Sequence, residues 1–141
     1  MEVDKVTTVD INNDGYLDIY VCNSGPTVDD NLLKNKLYIN NGDLTFTENA
    51  AAYGLDDSSY SSQAAFFDMD KDGDLDLFVL NHSLFNYAMT DRGTSIQEFF
   101  QTFLSKTEQV KKKSVNTLYR NDGNGKFSEI TEEAGMFKVG F

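Results

Sequence analysis

The sequence has very few residues that form disulfides or bind zinc. Its 141 residues include one cysteine, Cys22, and one histidine, His82. A single cysteine excludes an internal disulfide framework, and we expect Cys22 to be a small buried core residue. No second histidine or cysteine lies near His82 in the sequence, so we expect this side chain to be at the surface or to pack in a loop, without a zinc or catalytic role.

Basic residues and long apolar runs are also scarce. Lys and Arg number 12 against 23 Asp and Glu, which gives a formal net charge of −11 and a pI near 4.3. Nucleic acids and anionic lipids bind basic surfaces, so neither is expected as a partner. No apolar run approaches the roughly 20 residues that span a bilayer, so no membrane insertion is expected. Residues 1–5 lack the features of a signal peptide, which predicts either a cytosolic protein or a sequence that begins downstream of its export signal.

The sequence does contain an aspartate ladder that occurs twice, 58 residues apart. The two copies are DINNDGYLD at residues 10–18 and DMDKDGDLD at residues 68–76. Ca²⁺ binds six to eight oxygen atoms at about 2.3–2.6 Å, and the glycine at position 6 allows the turn that presents the carbonyl of position 7. The ladders therefore predict two calcium sites. Their expected ligands are Asp10, Asn12, Asp14, the Tyr16 carbonyl and Asp18, then Asp68, Asp70, Asp72, the Asp74 carbonyl and Asp76.

Acidic loops of this composition also occur in solvated turns and in EF-hands. Asp, Asn and Gly cluster in solvated turns, but a second copy with identical spacing favours a metal site. An EF-hand requires a bidentate glutamate at position 12 and helices on both sides of the loop. Position 12 is Val21 in one copy and Val79 in the other, and the flanking residues are β-branched and aromatic. These loops are therefore predicted to join β-strands.

The ladders belong to a longer internal repeat. Residues 35–42 and 116–123 share the pattern N-x-L-Y-x-N-x-G at an offset of 81, so the second unit holds 23 additional residues. Each unit predicts four short strands, a pattern typical of a β-propeller blade. In each unit one strand directly follows the ladder. The other three strands are expected at Lys5–Val9, Lys36–Asn40 and Thr45–Glu48 in the first unit, and at Ser61–Phe67, Thr117–Asn121 and Lys126–Ile130 in the second. The predicted fold is all-β, with blades at residues 1–58 and 59–135 and the start of a third at 136–141.

The additional residues lie within segment 82–115, which carries the helical signal. Apolar residues recur there at steps of three and four, at Ile96, Phe99, Phe100, Phe103, Leu104, Thr107 and Val110. Ser95 with Glu98 forms a capping box, and the basic run 111–113 suits the negative end of a helix dipole. We expect one inserted α-helix. It is either a lid on its own blade or a recognition surface that includes Phe99 and Phe103.

These motifs resemble the FG-GAP/VCBS repeats of integrin-α-type β-propellers. They are especially similar to those of bacterial proteins related to cartilage acidic protein, in which the repeats precede an ASPIC/UnbV segment. The resemblance implies a secreted or cell-surface propeller of about seven blades, with Ca²⁺ bound between the first two strands of a blade. Two repeats are present and the ASPIC/UnbV segment is absent, so we expect a fragment of a longer propeller. Its uncovered blade faces would allow self-association.

The expected function is that of a calcium-stabilised binding scaffold. The resemblance implies an extracellular, periplasmic or cell-surface location and a protein or carbohydrate ligand. No enzymatic activity is expected, because the sequence has no G-x-S-x-G motif and no histidine cluster. The alternative is that the chain is part of a propeller-type enzyme that degrades polysaccharides. A third class, calcium signalling by an EF-hand or dockerin-like pair, would require a helical fold.

Overall fold

A computed structural model describes residues 2–25, 27, 29–82, 97, 101 and 107–136 of the chain. These residues form two four-stranded antiparallel sheets, in which neighbouring strands follow one another along the chain. The first sheet contains β1 (Glu2–Val9), β2 (Asp18–Ser24), β3 (Lys36–Asn40) and β4 (Phe46–Glu48). The second contains β5 (Ser61–Phe67), β6 (Asp76–Asn81), β7 (Thr117–Asn121) and β8 (Phe127–Glu129). The predicted pair of four-stranded units is confirmed.

The two sheets share the same register. In the first pair of strands Thr7 lies opposite Tyr20, and at the repeat-equivalent position Ala65 lies opposite Phe78. Both first pairs also contain a register shift at the same place, between Val3 and Lys5 and between Ser61 and Gln63. Register determines which side chains share a face of a sheet. Equivalent residues of the two units therefore lie on equivalent faces.

The hydrophobic core lies between the sheets, where β1 and β2 pack against β5. Tyr20 and Cys22 from β2, and Leu77 and Val79 from β6, are fully buried there. The ring of Tyr20 meets that of Phe66 edge to face at 5.8 Å between centroids. Such packing of two apolar sheet faces is what repetition provides, because a single four-stranded sheet has no core of its own. The prediction that Cys22 is a buried core residue is confirmed.

The polar groups buried around Tyr20 have hydrogen-bond partners. The Tyr20 hydroxyl donates to the Leu55 carbonyl at 3.1 Å and accepts from Asn35 Nδ2 at 3.1 Å. Asn35 Nδ2 also donates to Ser61 Oγ at 2.8 Å, which joins the residue before β3 to the first strand of the second sheet. Burial raises the pKa of Tyr20 well above its ordinary value, so the hydroxyl stays protonated.

Three helices have both ends among the described residues: α1 (Asp30–Leu33), α2 (Ala50–Tyr53) and α3 (Thr107–Lys113). Gln97 and Gln101, within the predicted helix, are helical as well. The sequence predicted helix only within segment 82–115, where α3 lies; most of that predicted helix, with Ser95, Glu98, Phe99 and Phe103, lies outside the described residues. The helices α1 and α2 lie outside the insertion and were not predicted. Each has four residues, too few to show a helical period in the sequence.

The end of α3 is fixed to the first unit of the repeat. Lys113 is buried, and its ammonium donates to the Ser58 carbonyl at 2.7 Å and pairs with the Asp30 carboxylate. The backbone N–H of Tyr60 donates to the Lys113 carbonyl at 2.9 Å. The ring of His82 packs beside that of Tyr60, at 6.3 Å between centroids, so His82 is a packing residue at this end of the sheets.

Strand boundaries differ from the prediction by a few residues. β1 begins at Glu2, β4 at Phe46, and β8 spans Phe127–Glu129. No helix among the described residues has the length and apolar character needed to cross a membrane.

Candidate metal centre

Each aspartate ladder forms the loop that connects the first two strands of its sheet. Asn13 and Gly15 have φ angles of 56° and 87°, and the equivalent Lys71 and Gly73 have φ angles of 63° and 95°. A Cβ atom added to Gly15 or Gly73 would meet nothing within 4 Å, so backbone conformation, and not space, favours glycine at both positions. The predicted turn at position 6 is present in both loops.

The carboxylate at position 1 holds the turn together. Asp10 accepts hydrogen bonds from the backbone N–H of Asp14 at 3.1 Å and of Gly15 at 2.9 Å. In the second loop Asp68 accepts from Asp72 and Gly73, both at 3.1 Å. These bonds curl each loop back towards the carboxylate of its first residue.

The carboxylate at position 5 accepts a hydrogen bond from the backbone N–H of position 7. Asp14 Oδ1 accepts from the Tyr16 N–H at 2.9 Å, and Asp72 Oδ1 accepts from the Asp74 N–H at 2.9 Å. One oxygen of each carboxylate is thus held by the backbone. The loops differ at position 3, where Asn12 Nδ2 donates to Asp14 Oδ2 at 3.0 Å in the first loop.

The aspartate at position 9 is buried in both loops and binds two separate backbone segments. Asp18 accepts from the N–H groups of Ile11 at 3.0 Å and Asn40 at 2.8 Å. Asp76 accepts from those of Met69 and Asn121, both at 2.8 Å. Each residue therefore ties its loop to the end of the third strand. A carboxylate oxygen has a second lone pair, so these bonds leave both residues able to bind a cation.

Asparagines at the end of the third strand complete this connection. Asn40 Nδ2 donates to the Leu17 carbonyl at 3.2 Å, and Asn121 Nδ2 donates to the Leu75 carbonyl at 3.2 Å. Neither asparagine was predicted to belong to the site. The signal was present in the sequence, because both occupy the last asparagine of the repeated N-x-L-Y-x-N-x-G motif.

Three carboxylates of the second loop have the spacing of a cation site. One oxygen from each of Asp68, Asp70 and Asp76 lies within 4.8 Å of the others. Two ligands of a Ca²⁺ ion at about 2.4 Å are separated by at most about 4.8 Å, so the three oxygens fit around one ion. An all-oxygen donor set of this charge matches a hard cation such as Ca²⁺.

The negative charges of the second loop favour neutralisation of its carboxylates by a proton or a cation. Partial desolvation and the nearby carboxylates of Asp72 and Asp76 raise the pKa of Asp70 above its ordinary value. The cause is that each of these surroundings disfavours a further negative charge. A bound cation would reverse the effect by placing opposite charge beside all three carboxylates.

The two loops lie next to each other and are linked directly. Asn13 Nδ2 of the first loop donates to Asp74 Oδ1 of the second at 3.2 Å. A groove between the loops is lined by Ile11, Asn12, Tyr53, Asp74, Asn121 and Phe127. No local sequence pattern signals this contact, because it depends on how one sheet packs against the other. The Tyr16 and Asp74 carbonyls remain predicted ligands; the side chain of Tyr16 is 49% exposed and that of Asp74 makes the link just described.

A known repeat family covers the same residues. The family model for the FG-GAP-like repeat matches residues 6–79, more than half of the chain and a range that includes both ladders. The predicted resemblance to FG-GAP repeats is confirmed, whereas the similarity to proteins related to cartilage acidic protein remains a prediction. No curated protein sequence matches the chain at a significant level.

Proposed function

The chain belongs to the FG-GAP-like repeat family, and we propose that each of its two aspartate loops binds one Ca²⁺ ion, which stabilises a β-propeller-type segment outside the cytoplasm. The observation that carries the proposal is the group of oxygens from Asp68, Asp70 and Asp76, which lie within 4.8 Å of one another. The same loop conformation at residues 10–18 supports a second site, with Asn12 in the place of Asp70.

Hydrogen bonds within each loop hold the carboxylates in place without a bound ion. Backbone N–H groups hold the carboxylates at positions 1, 5 and 9 in both copies, so little side-chain entropy is lost on binding. The remaining cost is repulsion among the carboxylates, which the ion removes. Extracellular calcium modules commonly have dissociation constants of about 10⁻⁴–10⁻³ M, which suits millimolar calcium outside cells.

We propose a binding role and not a catalytic one. Both oxygens of Asp18 and of Asp76 accept backbone hydrogen bonds, so these buried carboxylates hold the loop and are not placed to transfer protons. The proposed partner is an extracellular protein or carbohydrate, since scaffolds of this repeat type present loops from a rigid sheet. The proposed location is extracellular, periplasmic or at the cell surface.

The bonds of Lys113 bear on the role of the insertion. The β6–β7 connection that contains α3 leaves the opposite end of β6 from the aspartate loop. Because Lys113 is buried against Asp30 and Ser58, we propose that residues 107–113 act as a structural lid across the first unit.

Thermal unfolding with and without calcium tests the metal proposal. We expect the unfolding midpoint to rise when Ca²⁺ replaces EDTA, and calorimetric titration to give two ions per chain. At a free calcium concentration of about ten times the dissociation constant, each site adds about 1.4 kcal/mol to the free energy of unfolding. Asp14→Ala and Asp72→Ala should each remove part of this increase and one ion. Glu133→Ala, at an exposed carboxylate outside the loops, should remove neither. An unfolding midpoint that does not respond to calcium would refute the proposal.

A further inference from the structure

Five glycines of the chain directly follow an asparagine or an aspartate. The dipeptides are Asp14-Gly15, Asn41-Gly42, Asp72-Gly73, Asp122-Gly123 and Asn124-Gly125. In such a dipeptide the backbone nitrogen of the glycine can attack the side-chain carbonyl carbon of the residue before it, because glycine has no Cβ atom in the way. The attack needs a glycine N–H without another partner and a side chain that is free to turn towards it.

Four of these five glycine N–H groups donate a hydrogen bond to a side-chain oxygen. The pairs and their distances are Gly15 with Asp10 at 2.9 Å, Gly73 with Asp68 at 3.1 Å, Gly42 with Asn40 at 2.9 Å and Gly123 with Asn121 at 3.0 Å. Each bond would have to break before the nitrogen could attack, and breaking it raises the barrier to the reaction. The fold therefore protects these four dipeptides.

In the first of the two Asn-Gly dipeptides the side chain is held as well. Asn41 Nδ2 donates to Thr45 Oγ1 at 2.9 Å, and Asn41 Oδ1 accepts from Thr47 Oγ1 at 3.1 Å. A Cβ atom on Gly42 would lie 2.8 Å from Tyr16 Cε2, so the tyrosine ring lies against this glycine. The amide of Asn41 is therefore fixed across its turn and cannot reach the Gly42 nitrogen without losing both bonds.

Asn124-Gly125 is the dipeptide in which neither group is held. Within the part of the chain that the structure describes, the Gly125 N–H donates no hydrogen bond and the Asn124 side chain makes none. Both residues lie in the turn between β7 and β8, which a bond from the Asp122 N–H to the Lys126 carbonyl closes at 2.9 Å. Asn124 is exposed, and a Cβ atom on Gly125 would come no closer than 3.8 Å to the Tyr53 ring. The Gly125 nitrogen and the Asn124 amide are thus free to meet.

We propose that Asn124 is a modification site, at which the side-chain amide is converted to a carboxylate without an enzyme. The Gly125 nitrogen bonds to the side-chain carbonyl carbon of Asn124, and the Cγ–Nδ2 bond breaks. The amide nitrogen leaves as ammonia with the proton of the glycine N–H, and a five-membered imide remains. One water molecule opens the imide to give aspartate, or isoaspartate, in which the main chain runs through the side-chain carbon atoms. Water is the only co-reactant.

The new charge would lie in the groove between the two aspartate loops. Asn124 lines this groove together with Asn12 and Asp74, and Asp74 already contributes a carboxylate. The reaction would add one negative charge to a chain whose formal net charge is −11. The modification itself does not depend on the calcium binding proposed above.

Peptide mapping by mass spectrometry tests the proposal on the full chain, after incubation at physiological temperature and mildly alkaline pH. The readout at each asparagine is the mass change from amide to carboxylate and the appearance of isoaspartate. In the folded chain we expect Asn124 to react at least about tenfold faster than Asn41, because only the reaction at Asn41 must break hydrogen bonds. In guanidinium chloride, where neither turn is formed, the two rates should become similar.

Two variants separate the effect of the fold from that of the sequence. Asn124→Gln should abolish the reaction at this position, since a six-membered ring would have to form. Replacing both Thr45 and Thr47 by valine removes the two bonds of the Asn41 side chain, so the rate at Asn41 should rise while that at Asn124 stays the same. Both threonines are exposed, so circular dichroism should not change. Equal rates at Asn41 and Asn124 in the folded wild-type chain, or no reaction at Asn124, would overturn the proposal.

Discussion

At the scale of single residues, the aspartates of one loop have two distinct tasks. Asp76 is 1% exposed, and its two oxygens accept N–H groups from the start of the loop and from β7. Asp70 is exposed, and its pKa is raised by partial desolvation and by neighbouring carboxylates. Its negative charge therefore destabilises the loop when no cation is bound. Asp76 ties the loop to β7 with or without an ion, whereas the negative charge of Asp70 is favourable only when a cation is bound.

Replacing each of these carboxylates by its amide should separate the two tasks. Asp76→Asn places an amide NH₂ against a backbone donor, so we expect the free energy of unfolding in EDTA to fall by about 1–3 kcal/mol. Asp70→Asn removes only repulsion, so the unfolding midpoint in EDTA should stay unchanged or rise. Both variants should show a smaller calcium-dependent increase. Equal effects of the two substitutions in EDTA would contradict this division.

Sequence spacing placed Asp68, Asp70 and Asp76 among the predicted ligands of one ion, and one oxygen of each lies within 4.8 Å of the others. Asp72 is not a member of this group, and the ligand sets of both loops as a whole remain predictions. The contacts of Asp76 with Asn121, and of Asn13 with Asp74, were not predicted. They join segments 45 and 61 residues apart, so they depend on strand pairing and sheet packing that no local pattern specifies.

At the scale of elements, α3 is attached by one buried cation. The side chain of Lys113 is 9% exposed, while that of Asp30 is 58% exposed. The hydrogen bond from Lys113 lowers the pKa of Asp30. A lowered carboxylate pKa adds stability above the ordinary pKa of aspartate, and this stability is lost as the pH falls through the folded-state value.

Lys113→Met should therefore destabilise the fold in a pH-dependent manner. At pH 7 we expect a loss of about 1–2 kcal/mol, from the lost bonds to Ser58 and Asp30, because the exposed Asp30 carboxylate can be solvated by water. Below about pH 4 the difference between variant and wild type should shrink, since Asp30 becomes protonated in both. Urea unfolding at several pH values measures this difference.

The exposed Lys112 provides the control for this experiment. Lys112→Met should change the free energy of unfolding very little at any pH, because the side chain lies on the solvent side of the same turn. A difference between Lys113→Met and wild type that stays constant down to acid pH would assign the effect to packing and not to the ion pair.

The strands were easier to predict than the helices. Apolar alternation and two copies of each pattern located all eight strands within a few residues. The one-turn helices α1 and α2 were missed, because four residues give no periodicity; α1 is formed by local capping, in which Asp29 accepts from the Asn31 N–H at 3.0 Å. The burial of Lys113 was also missed, since a basic run at a helix end ordinarily faces solvent.

At the scale of the whole molecule, negative charge is concentrated where the two loops adjoin. Two Ca²⁺ ions would change the formal net charge from −11 to −7, and would do so at the points of strongest repulsion. Raising the NaCl concentration from about 0.01 M to about 0.15 M shortens the Debye length from about 30 Å to about 8 Å. In EDTA we expect the unfolding midpoint to rise over this range, and with saturating calcium we expect a smaller rise.

Scanning calorimetry at fixed pH measures both series. The Asp70→Asn variant is a useful companion, because it lacks one of the repelling carboxylates and should show a weaker response to salt in EDTA. If the midpoint responded to salt equally with and without calcium, the repulsion would lie elsewhere on the surface than in the loops.

The complete burial of Cys22 between the sheets gives the chain a built-in reporter. Since it is the single cysteine in 141 residues, a thiol-reactive dye has one target, which it reaches only when the two blades part. The labelling rate, compared with that of the unfolded chain, yields the free energy of this opening. The motion that exposes the core is thereby open to measurement with no engineered probe.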